Sequence, residues 1–541
     1  MNSFIPEIHF SISLNKVKQI KNWLENHMVV ILVVILSFVS MFFFDYYLKN
    51  GIGLAYNDAR SHLDIGRRVV EGLKPGLAQI GSVWLPLPHF LMIPTVWVNY
   101  FWHSGFSGAI QSMISFVLVG VIIYQYLKKI KVGLFGRLFA VFVFISNLNI
   151  LYLQSTAMTE LLLLATMTGG AYFLMLWFKE NKLLDLIKAS FCIMLSTLVR
   201  YDGWFLFIFS AGLIAYYVLN KKGYKEAEGA VILFATLGGF GIFLWFLWNT
   251  LIYGEPLYFI FGPFSAYAQQ AQLKEAGELF TKGNLWLSFK AYIYAVFYNT
   301  YTLNAYLSLI GAILFWKSKK VKKPIKIASL ALFAPLIFNI LALYLGHSVL
   351  FVKGVNVDTW FNVRYGLLLV PTVAIFIGYL ADKAKDFRLI IVGLSLLVTL
   401  FATLNKDAAT IEDAQIGSSG KNVTEVSGWL REHVILREGF VLISVASHDA
   451  IIFSSGLPME RFIHEGTGNY WKYSTQSPQN WATWIVMRTH DLNDMTFREL
   501  NDKNWENYYY LVDHYPFADI YELKPEFRTN VQTKPILVDN K

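Results

Sequence analysis

Long apolar runs, separated by short basic or polar segments, follow one another through roughly the first 400 residues of the chain. A run of about 17 or more apolar residues is long enough to cross the hydrocarbon core of a bilayer as a helix. By this criterion we expect about eleven transmembrane helices and a polytopic α-helical membrane protein. The predicted spans are residues 28–48, 108–127, 134–151, 157–178, 184–199, 203–220, 228–250, 299–316, 325–345, 365–381 and 388–404.

Lysine-rich segments set the expected orientation of these spans, because cytoplasmic loops carry an excess of Lys and Arg. With this set of spans every lysine cluster falls on one side, which predicts a cytoplasmic N-terminus. One apolar stretch, Leu85 to Trp102, contains three prolines, and a crossing there would put "YLKKIKVG" on the outer side. We therefore interpret that stretch as an interfacial segment. The clusters that sort inward are "KENK", "KKGYK", "KSKKVKK" and "DKAKDFR".

The pattern changes after residue 405, where short β-branched or aromatic runs replace the long apolar ones. Runs such as "GFVLISVASHD", "TWIVMRTHD" and "ADIYELK", separated by turn residues, are typical of strands. Residues 422–434 and 495–503 are predicted to be helices. We expect two domains: a transmembrane domain at 1–405, and a small soluble α/β domain at 406–541 on the extracytoplasmic side.

The composition supports this fold class and excludes others. Of the 541 residues 55% are hydrophobic and 15% are charged, which is too little charge to cover a soluble globule of this size. The net charge of +9 comes from the lysine clusters between spans, so it indicates membrane topology and no nucleic-acid partner. The single cysteine, Cys192, excludes a disulfide framework and a cysteine metal site. The first apolar run has full spanning length and no small-residue cleavage site, which predicts a multi-pass protein of the cell membrane without a cleaved signal peptide.

The stretch "AYNDARSHLDIGRRVVEG", residues 55–72, follows the first span and is rich in ionisable groups. If it is helical, Asp58 and His62 share one face, since residues four apart are neighbours on a helix. Asp64 is then directed elsewhere, toward one of the three arginines of the stretch. Two interpretations fit: a solvated amphipathic surface helix, or a functional site at the outer membrane boundary.

Other predicted external loops carry charged residues at the same depth. Glu160 begins a span in "MTELLLLA", where an unpaired carboxylate is expensive. Arg200 and Asp202 lie between two spans in "LVRYDGW", and Arg364 and Tyr365 enter another in "FNVRYGLLLVP". Each alone is explained by an interfacial anchor or a local ion pair. Together they place carboxylates and arginines at one membrane boundary, which suits a substrate with a lipid tail and a charged head.

These segments, in this order, resemble the GT-C superfamily of integral-membrane glycosyltransferases, whose hallmark is an acidic residue in the first external loop. The resemblance covers residues 50–380 or so and is greatest to the branch that contains protein O-mannosyltransferases and the lipid A aminoarabinose transferase. Two departures leave the acceptor open: Asp58 is followed by Ala59 instead of a second acid, and "WLPLPHF" lacks a lysine. The matching segments are the Asp58 loop, "WLPLPHFLM", "LVRYDGW", "YGEPLYF" and "NVRYGLLLVP".

The resemblance implies an inverting hexosyl- or pentosyltransferase that takes sugar from a polyprenyl-phosphate-linked donor and transfers it to an acceptor on the extracytoplasmic side. The expected partners are therefore a lipid-linked sugar, an acceptor that is a protein, lipid or glycan, and the membrane. Some members of the superfamily use a divalent metal and others do not. An Asp/His pair such as Asp58 and His62 is more often an ordinary hydrogen-bonded pair than a metal site, so no metal ligand is assigned and a divalent metal stays an open cofactor.

Sugar transfer from a phosphate donor needs a base for the acceptor and charge neutralisation at the departing phosphate. We assign the base to Asp58, because it comes first after the span and begins the stretch that matches the family. Arg364 is the first candidate for the donor phosphate and Arg200 the second, since a guanidinium contacts phosphoryl oxygens through two parallel hydrogen bonds. The remaining residues assigned to substrate binding are Tyr365, His62, Glu160 and Asp202.

Three other functions compete with this one. A transporter or flippase would have ionisable residues deep within its spans and often a repeated half, whereas these charges cluster at one boundary and no repeat is visible. A polymerase or ligase for lipid-linked glycans would have its main chemistry in a large late loop, whereas the acidic loop here comes first. A non-enzymatic membrane scaffold is the third alternative.

Overall fold

The computed structural model describes residues 14–262, 265–275, 277–417 and 423–536, which are mostly helical. Within these residues, seven helices are long and apolar enough to cross a membrane, and a helix pair bent by 43° is an eighth if it forms one span. The polytopic helical fold expected from the apolar runs is confirmed. The seven are Glu25–Lys49, Phe106–Lys129, Glu160–Glu180, Asp202–Lys222, Lys323–Leu345, Val363–Lys383 and Lys385–Ile416, and the bent pair is Tyr224–Gly238 with Phe240–Tyr253.

The other three predicted spans form helices shorter than a full crossing. Residues 134–151 divide at Asn147, whose side-chain oxygen accepts a hydrogen bond from Ile150 N at 3.2 Å and caps the second piece. The helices are Leu134–Ile145, Leu148–Leu153, Leu183–Thr197 and Thr302–Lys317. Short helices in the connections are Asn99–His103, Tyr258–Phe261 and Ala266–Glu275.

A further long helix, Leu285–Thr300, was not predicted as a span, because Lys290 interrupts its apolar run. It packs behind the 3-10 segment Val363–Leu369. Asn299 Nδ2 donates to Val363 O at 2.7 Å, and Tyr292 OH donates to the backbone oxygen of Tyr365 at 3.2 Å. This helix therefore fixes the backbone from which Arg364 projects.

The charged stretch after the first span is helical from Asn57 to Val70 and packs against the helix Leu87–Val96. Gly66 lets the two approach closely, since a Cβ at this position would lie 3.3 Å from Met92 Cβ. The ten residues of Leu87–Val96 extend about 15 Å, which is half of the hydrocarbon core. The helix is thus too short to cross, in agreement with the interfacial interpretation.

The C-terminal part of the chain, residues 423–536, contains five strands: β1 (Val441–Ile443), β2 (Phe462–Ile463), β3 (Trp484–Met487), β4 (Tyr509–His514) and β5 (Asp519–Leu523). They form a mixed sheet in the order β2-β1-β3-β5-β4. Strands β2, β1 and β3 are parallel, while β5 pairs antiparallel with β3 and β4. The small α/β architecture expected here is confirmed, and we call this part the C-terminal domain.

The helices of the C-terminal domain correct one prediction. The run "GFVLISVASHD" is a strand only at Val441–Ile443, and its second half belongs to the helix Val445–Ser455. The two helices predicted in this part of the chain are present, as Thr424–His433 and Met495–Leu500. Residue 422, the first of the predicted helix 422–434, lies outside the described residues. One more helix spans Asn469–Gln476.

Direct contacts hold the C-terminal domain on the helix Asn57–Val70 and the segment after it. Glu71 Oε1 accepts a hydrogen bond from Met459 N at 2.8 Å, and Gln79 Nε2 donates to Gly466 O at 2.8 Å. The rings of Trp102 and Phe453 meet edge to face at 5.6 Å. The charged stretch after the first span is therefore enclosed between the membrane helices and the C-terminal domain.

Candidate active site

The charged residues chosen from the sequence lie where separate helices begin. Asp58, Glu160 and Asp202 each occupy the first turn of their helix. A carboxylate is stabilised there, because the unpaired backbone N–H groups give a helix N-terminus a partial positive charge. Three such N-termini converge at the end of the helical bundle that carries the C-terminal domain, and Arg364 projects between them.

Arg364 lies at the centre of this cluster, and its side chain is only 4% exposed. Its Nη2 is 2.5 Å from Asp58 Oδ2 and its Nε is 3.0 Å from Glu160 Oε1. Its Nη1 is 4.0 Å from Asp413 Oδ2. Burying an unpaired guanidinium is strongly unfavourable, so these carboxylates are what allow Arg364 to be buried.

A second arginine extends the network on the other side of Glu160. Arg200 Nη1 is 3.1 Å from the same Glu160 Oε1, and Arg200 Nε is 3.3 Å from Asp202 Oδ2. Asn339 Nδ2 donates to Asp202 Oδ1 at 3.4 Å. The result is a continuous series in which acid and base alternate, from Asp58 through Arg364, Glu160 and Arg200 to Asp202.

Aromatic rings cover both guanidinium groups. Arg364 lies 4.9 Å from the centroid of the Tyr56 ring, and Arg200 lies 4.8 Å from that of Tyr365. The attraction of a cation to the face of a ring adds to the ion pairs. Tyr56 OH also donates to Asp413 Oδ2 at 3.0 Å, which joins Asp413 to the network.

Exposure separates the residues that a substrate can reach from those that support them. The Asp58 side chain is 34% exposed and that of Arg200 is 21% exposed. Glu160 and Asp202 are as enclosed as Arg364. Asp58 and Arg200 are therefore the two charged groups of the network that a ligand can contact directly.

His62 does not join this network, although the sequence placed it on the face of Asp58. Its Nδ1 is 2.9 Å from His89 Nε2, and its ring lies 4.2 Å from that of Trp84. Burial, together with the positive charges of Arg364 and Arg200, lowers the pKa of His62 to about 3. His62 is thus a neutral, hydrogen-bonded side chain at neutral pH. Among the described residues no group of three or more His, Cys, Asp or Glu is arranged to hold a metal.

Asp64 has none of the ion pairs that its neighbours in sequence suggested. Its carboxylate is fully buried, and within the described parts of the chain neither oxygen has a hydrogen-bond partner. Arg60 instead donates to Leu54 O at 2.9 Å, and Arg67 forms its ion pair with Glu71. Burial raises the pKa of Asp64 well above the ordinary value, which Arg68 opposes and Asp449 reinforces.

The site includes three residues that the sequence did not indicate: Tyr56, Asn339 and Asp413. Tyr56 directly precedes the charged helix. Aromatic residues are common near membrane surfaces, so a tyrosine at this position did not indicate a functional site. Asn339 lies inside an apolar helix, where a buried amide indicates a polar partner. Asp413 lies in a polar segment after the last span, in which nothing distinguishes it from its neighbours.

Comparisons with known proteins support the same architecture. No family model matches the chain, and neither does any curated protein sequence. The structure resembles that of ArnT from Cupriavidus metallidurans bound to undecaprenyl phosphate, with a TM-score of 0.53 over 94% of this chain and 99% of ArnT, at 9% identity. The chain has the same fold as ArnT.

Two further structures show the extent of the likeness. ArnT from the same organism in the apo state gives a TM-score of 0.53 and 9% identity, over 87% of this chain and 94% of ArnT. The archaeal oligosaccharyltransferase AglB from Archaeoglobus fulgidus was compared in its complex with an inhibitory peptide and a dolichol-phosphate. It gives a TM-score of 0.48 and 12% sequence identity, over 93% of this chain and 75% of AglB. At this level of identity the likeness concerns the fold alone.

Proposed function

We propose that the protein is a membrane glycosyltransferase that transfers a sugar from a polyprenyl-phosphate-linked donor to an acceptor on the extracytoplasmic side. The observation that carries the proposal is the partly exposed Asp58 carboxylate, held 2.5 Å from the buried Arg364 inside a network of alternating acids and bases. The GT-C fold supports it, since ArnT with the same fold binds undecaprenyl phosphate. The positive-inside bias of the lysine clusters supports the sidedness.

In the proposed reaction Asp58 is the general base. Its Oδ2 contacts Arg364, while no described residue hydrogen-bonds its Oδ1, which leaves this oxygen free to face an acceptor hydroxyl. Oδ1 takes the hydroxyl proton as the acceptor oxygen forms a bond to the anomeric carbon. The bond between that carbon and the phosphate oxygen breaks, and its electron pair leaves with the lipid phosphate. A single displacement of this kind inverts the anomeric centre.

The departing phosphate needs a cation that it can reach. Arg200 meets this condition better than Arg364, because its side chain is 21% exposed against 4% and no carboxylate hydrogen-bonds its Nη2 within the described residues. We therefore assign the phosphate contact to Arg200 and give Arg364 the task of orienting Asp58. Glu160, bonded to both, holds the two guanidinium groups at a fixed separation.

The test is genetic, because it requires neither the sugar nor the acceptor to be known in advance. The gene is deleted, and the lipid-linked and cell-surface glycans are compared by mass spectrometry before and after complementation. Asp58→Asn keeps the size of the side chain and removes the base, and the loss of a general base slows transfer by about 100-fold to 10,000-fold. We expect the wild type to restore the missing glycan and Asp58→Asn not to restore it.

The matched control is Asp45→Asn, which removes a carboxylate from an exposed pair with Lys49 on the first span. This variant should complement like the wild type. If Asp58→Asn complements fully while it is expressed at the wild-type level, Asp58 is not the base. If the deletion changes no lipid-linked or surface glycan, the protein is not a glycosyltransferase of this class.

A further inference from the structure

The helix Asn57–Val70, which carries Asp58 in its first turn, carries in its last turn an arginine without an ion pair among the described residues, Arg68. Arg68 is only 9% exposed, and neither its Nε nor its Nη1 has a hydrogen-bond partner among the described residues. Within the same residues no carboxylate lies within 4.0 Å of its guanidinium, whereas Arg67 beside it pairs with Glu71. Buried polar groups nearly always have a hydrogen-bond partner, so the unsatisfied donors of Arg68 indicate a group that binds there.

Two carboxylates face Arg68 from a greater distance. One is Asp64, one turn earlier on the same helix. The other is Asp449, which the C-terminal domain contributes and which also neighbours the hydroxyl of Ser61 and the carboxylate of Asp58. Asp449 therefore lies between the proposed base at one end of the helix and Arg68 at the other, a separation of about 15 Å along the helix axis.

Asp449 directly follows a kink in the helix Val445–Ser455. The backbone leaves the helical conformation at His448, with φ −138° and ψ 20°. His448 is fixed by its Nε2, which is 2.5 Å from Asp494 Oδ2 in a fully buried pair. Asp449 and Phe453 are four residues apart and share a face, and Phe453 meets Trp102 at 5.6 Å. The face that carries Asp449 is thus the face that packs on the membrane domain.

His464 completes the junction with a hydrogen-bond donor. Its Nδ1 accepts from Gly466 N at 3.1 Å, so the ring proton resides on Nε2. Burial lowers the pKa of His464 well below the ordinary value, and the nearby charge of Arg68 lowers it further. The ring is therefore neutral at neutral pH. Its position is held by Gln79, which donates to Gly466 O at 2.8 Å.

We propose that Arg68, Asp449 and His464 form a subsite that binds the hydroxyl groups of a sugar ring beside Asp58. The inference rests on the proposed glycosyltransferase function and adds to it the place where the sugar is recognised. A sugar hydroxyl donates one hydrogen bond and accepts others, so adjacent hydroxyls match a carboxylate and a guanidinium that do not pair with each other. An oxyanion would suit Arg68 and be repelled by Asp449. The subsite therefore selects a neutral, hydroxyl-rich group.

The experiment uses the full chain, purified into lipid nanodiscs, and measures binding by the change in tryptophan fluorescence. The probes are undecaprenyl phosphate without sugar, undecaprenyl phosphate bearing mannose, glucose, galactose or arabinose, the free mono- and disaccharides, and inorganic phosphate. The variants are Asp449→Asn and Arg68→Gln. The control is Glu438→Gln, which changes an exposed carboxylate of the same domain that is paired with Lys534.

We expect the wild type to bind at least one sugar-bearing probe more tightly than the same probe without sugar. Asp449→Asn and Arg68→Gln should each lower the affinity for that probe by about 10-fold or more, which is the usual effect of losing a hydrogen bond to a charged group. Both should bind undecaprenyl phosphate without sugar as the wild type does, and Glu438→Gln should match the wild type throughout. A loss confined to the lipid-linked sugars assigns the subsite to the donor, and a loss confined to the free saccharides assigns it to the acceptor.

Three results would overturn the proposal. In the first, the variants keep the wild-type affinity for every sugar, or the wild type does not distinguish any sugar-bearing probe. In the second, Arg68→Gln lowers the affinity for inorganic phosphate and for undecaprenyl phosphate as much as the affinity for the sugars, which would make the junction an oxyanion site. In the third, the variants lose only thermal stability, and Asp449→Glu and Arg68→Lys, which keep the charges, bind all probes normally. Failure of the proposed function is separate, since no form of the protein would then bind undecaprenyl phosphate.

Discussion

The helix Asn57–Val70 has a charged cluster at each end, and the two clusters differ in how their arginines are satisfied. At the first turn, Asp58 contacts Arg364, which is surrounded by carboxylates of the protein itself. Near the last turn, Arg68 has no ion pair with any described residue. Arg364 is therefore ion-paired within the protein, although its Nη1 has no hydrogen-bond partner among the described residues, whereas Arg68 has no ion pair with a described residue. Ion pairing thus distinguishes a guanidinium that the protein itself holds in place, Arg364, from one that a ligand is expected to contact, Arg68.

The same principle sorts residues inside the first cluster. Arg364 and Glu160 are enclosed and have several partners, so they are expected to fix geometry. Asp58 and Arg200 are partly exposed at the edges of the network, so they are expected to meet the substrate. Preorganised charges of this kind need no rearrangement when the reaction occurs, which is a main source of electrostatic catalysis.

The largest expected effect concerns the side of the membrane on which both clusters lie, and it is all or none. A topology reporter fused after residue 450 should be active only outside the cell membrane, and one fused after residue 320 only in the cytoplasm, because each lysine cluster then lies inside. Protease protection of the same positions in right-side-out vesicles gives an independent check. A reporter at residue 450 that is active in the cytoplasm would contradict the proposed sidedness of the site.

The next effect is on stability and concerns the paired cluster. Arg364→Ala leaves Glu160 and Asp58 without their shared cation, and removing one partner of a buried pair costs about 3–5 kcal/mol of unfolding free energy. Asp45→Asn breaks an exposed pair with Lys49 and should cost about 0–1 kcal/mol. Denaturant titration in detergent compares the two. Equal, small losses would mean that the buried network does not stabilise the fold.

A smaller effect distinguishes the two arginines of the paired cluster. Arg200→Lys keeps the charge but loses the planar fork, so it should raise the KM for the donor by about 10-fold if Arg200 contacts the phosphate. Arg364→Lys should lower kcat with less effect on KM, because it disturbs the orientation of Asp58. Steady-state kinetics with the identified donor checks both. The opposite pattern would return the phosphate contact to Arg364, as the sequence first suggested.

The smallest effect concerns Asp64, which lies between the clusters. Its pKa is raised in the folded protein by burial, so the folded state retains a proton that the unfolded state has lost above about pH 4. The wild type should therefore lose stability relative to Asp64→Asn as the pH rises toward neutrality, by at most about 1.4 kcal/mol per pH unit. Two charged groups face Asp64: Arg68 lowers the pKa of Asp64, and Asp449 raises it.

Unfolding curves of both proteins at several pH values test the expectation, with Asp45→Asn as the control that should run parallel to the wild type. A difference between wild type and Asp64→Asn that is constant with pH would contradict it. The sequence analysis predicted an ion pair between Asp64 and one of three nearby arginines, and the loss of such a pair would instead make Asp64→Asn less stable than the wild type. In the structure Arg60 and Arg67 have other partners.

Much of the helical fold could be predicted, because a helix that spans a bilayer requires a long apolar run, and such a run can be recognised in a short window of the sequence. Leu285–Thr300 was missed for the same reason, since Lys290 shortens its run. The strand assigned to "SVASHD" was wrong, because a run of six residues is ambiguous and the kink at His448 depends on the distant Asp494.

The members of the candidate site could be predicted better than their pairing. A charged residue at a membrane boundary is energetically unfavourable, so it is conspicuous among apolar neighbours in the sequence. This criterion selected Asp58, Glu160, Arg200 and Arg364. Their contacts depend on tertiary structure: Asp58 and Arg364 are 306 residues apart in the chain and meet at 2.5 Å. His62 was grouped with Asp58 by helical spacing, but its partner is His89 on another segment.

Glu160 Oε1 is shared by Arg200 and Arg364, at 3.1 Å and 3.0 Å. Substituting Glu160 removes a partner from both arginines at once, whereas substituting either arginine leaves Glu160 paired with the other, so the effects of single changes are not additive. Over evolutionary time the three positions should be inherited as a unit, and related sequences should keep all three or exchange them together.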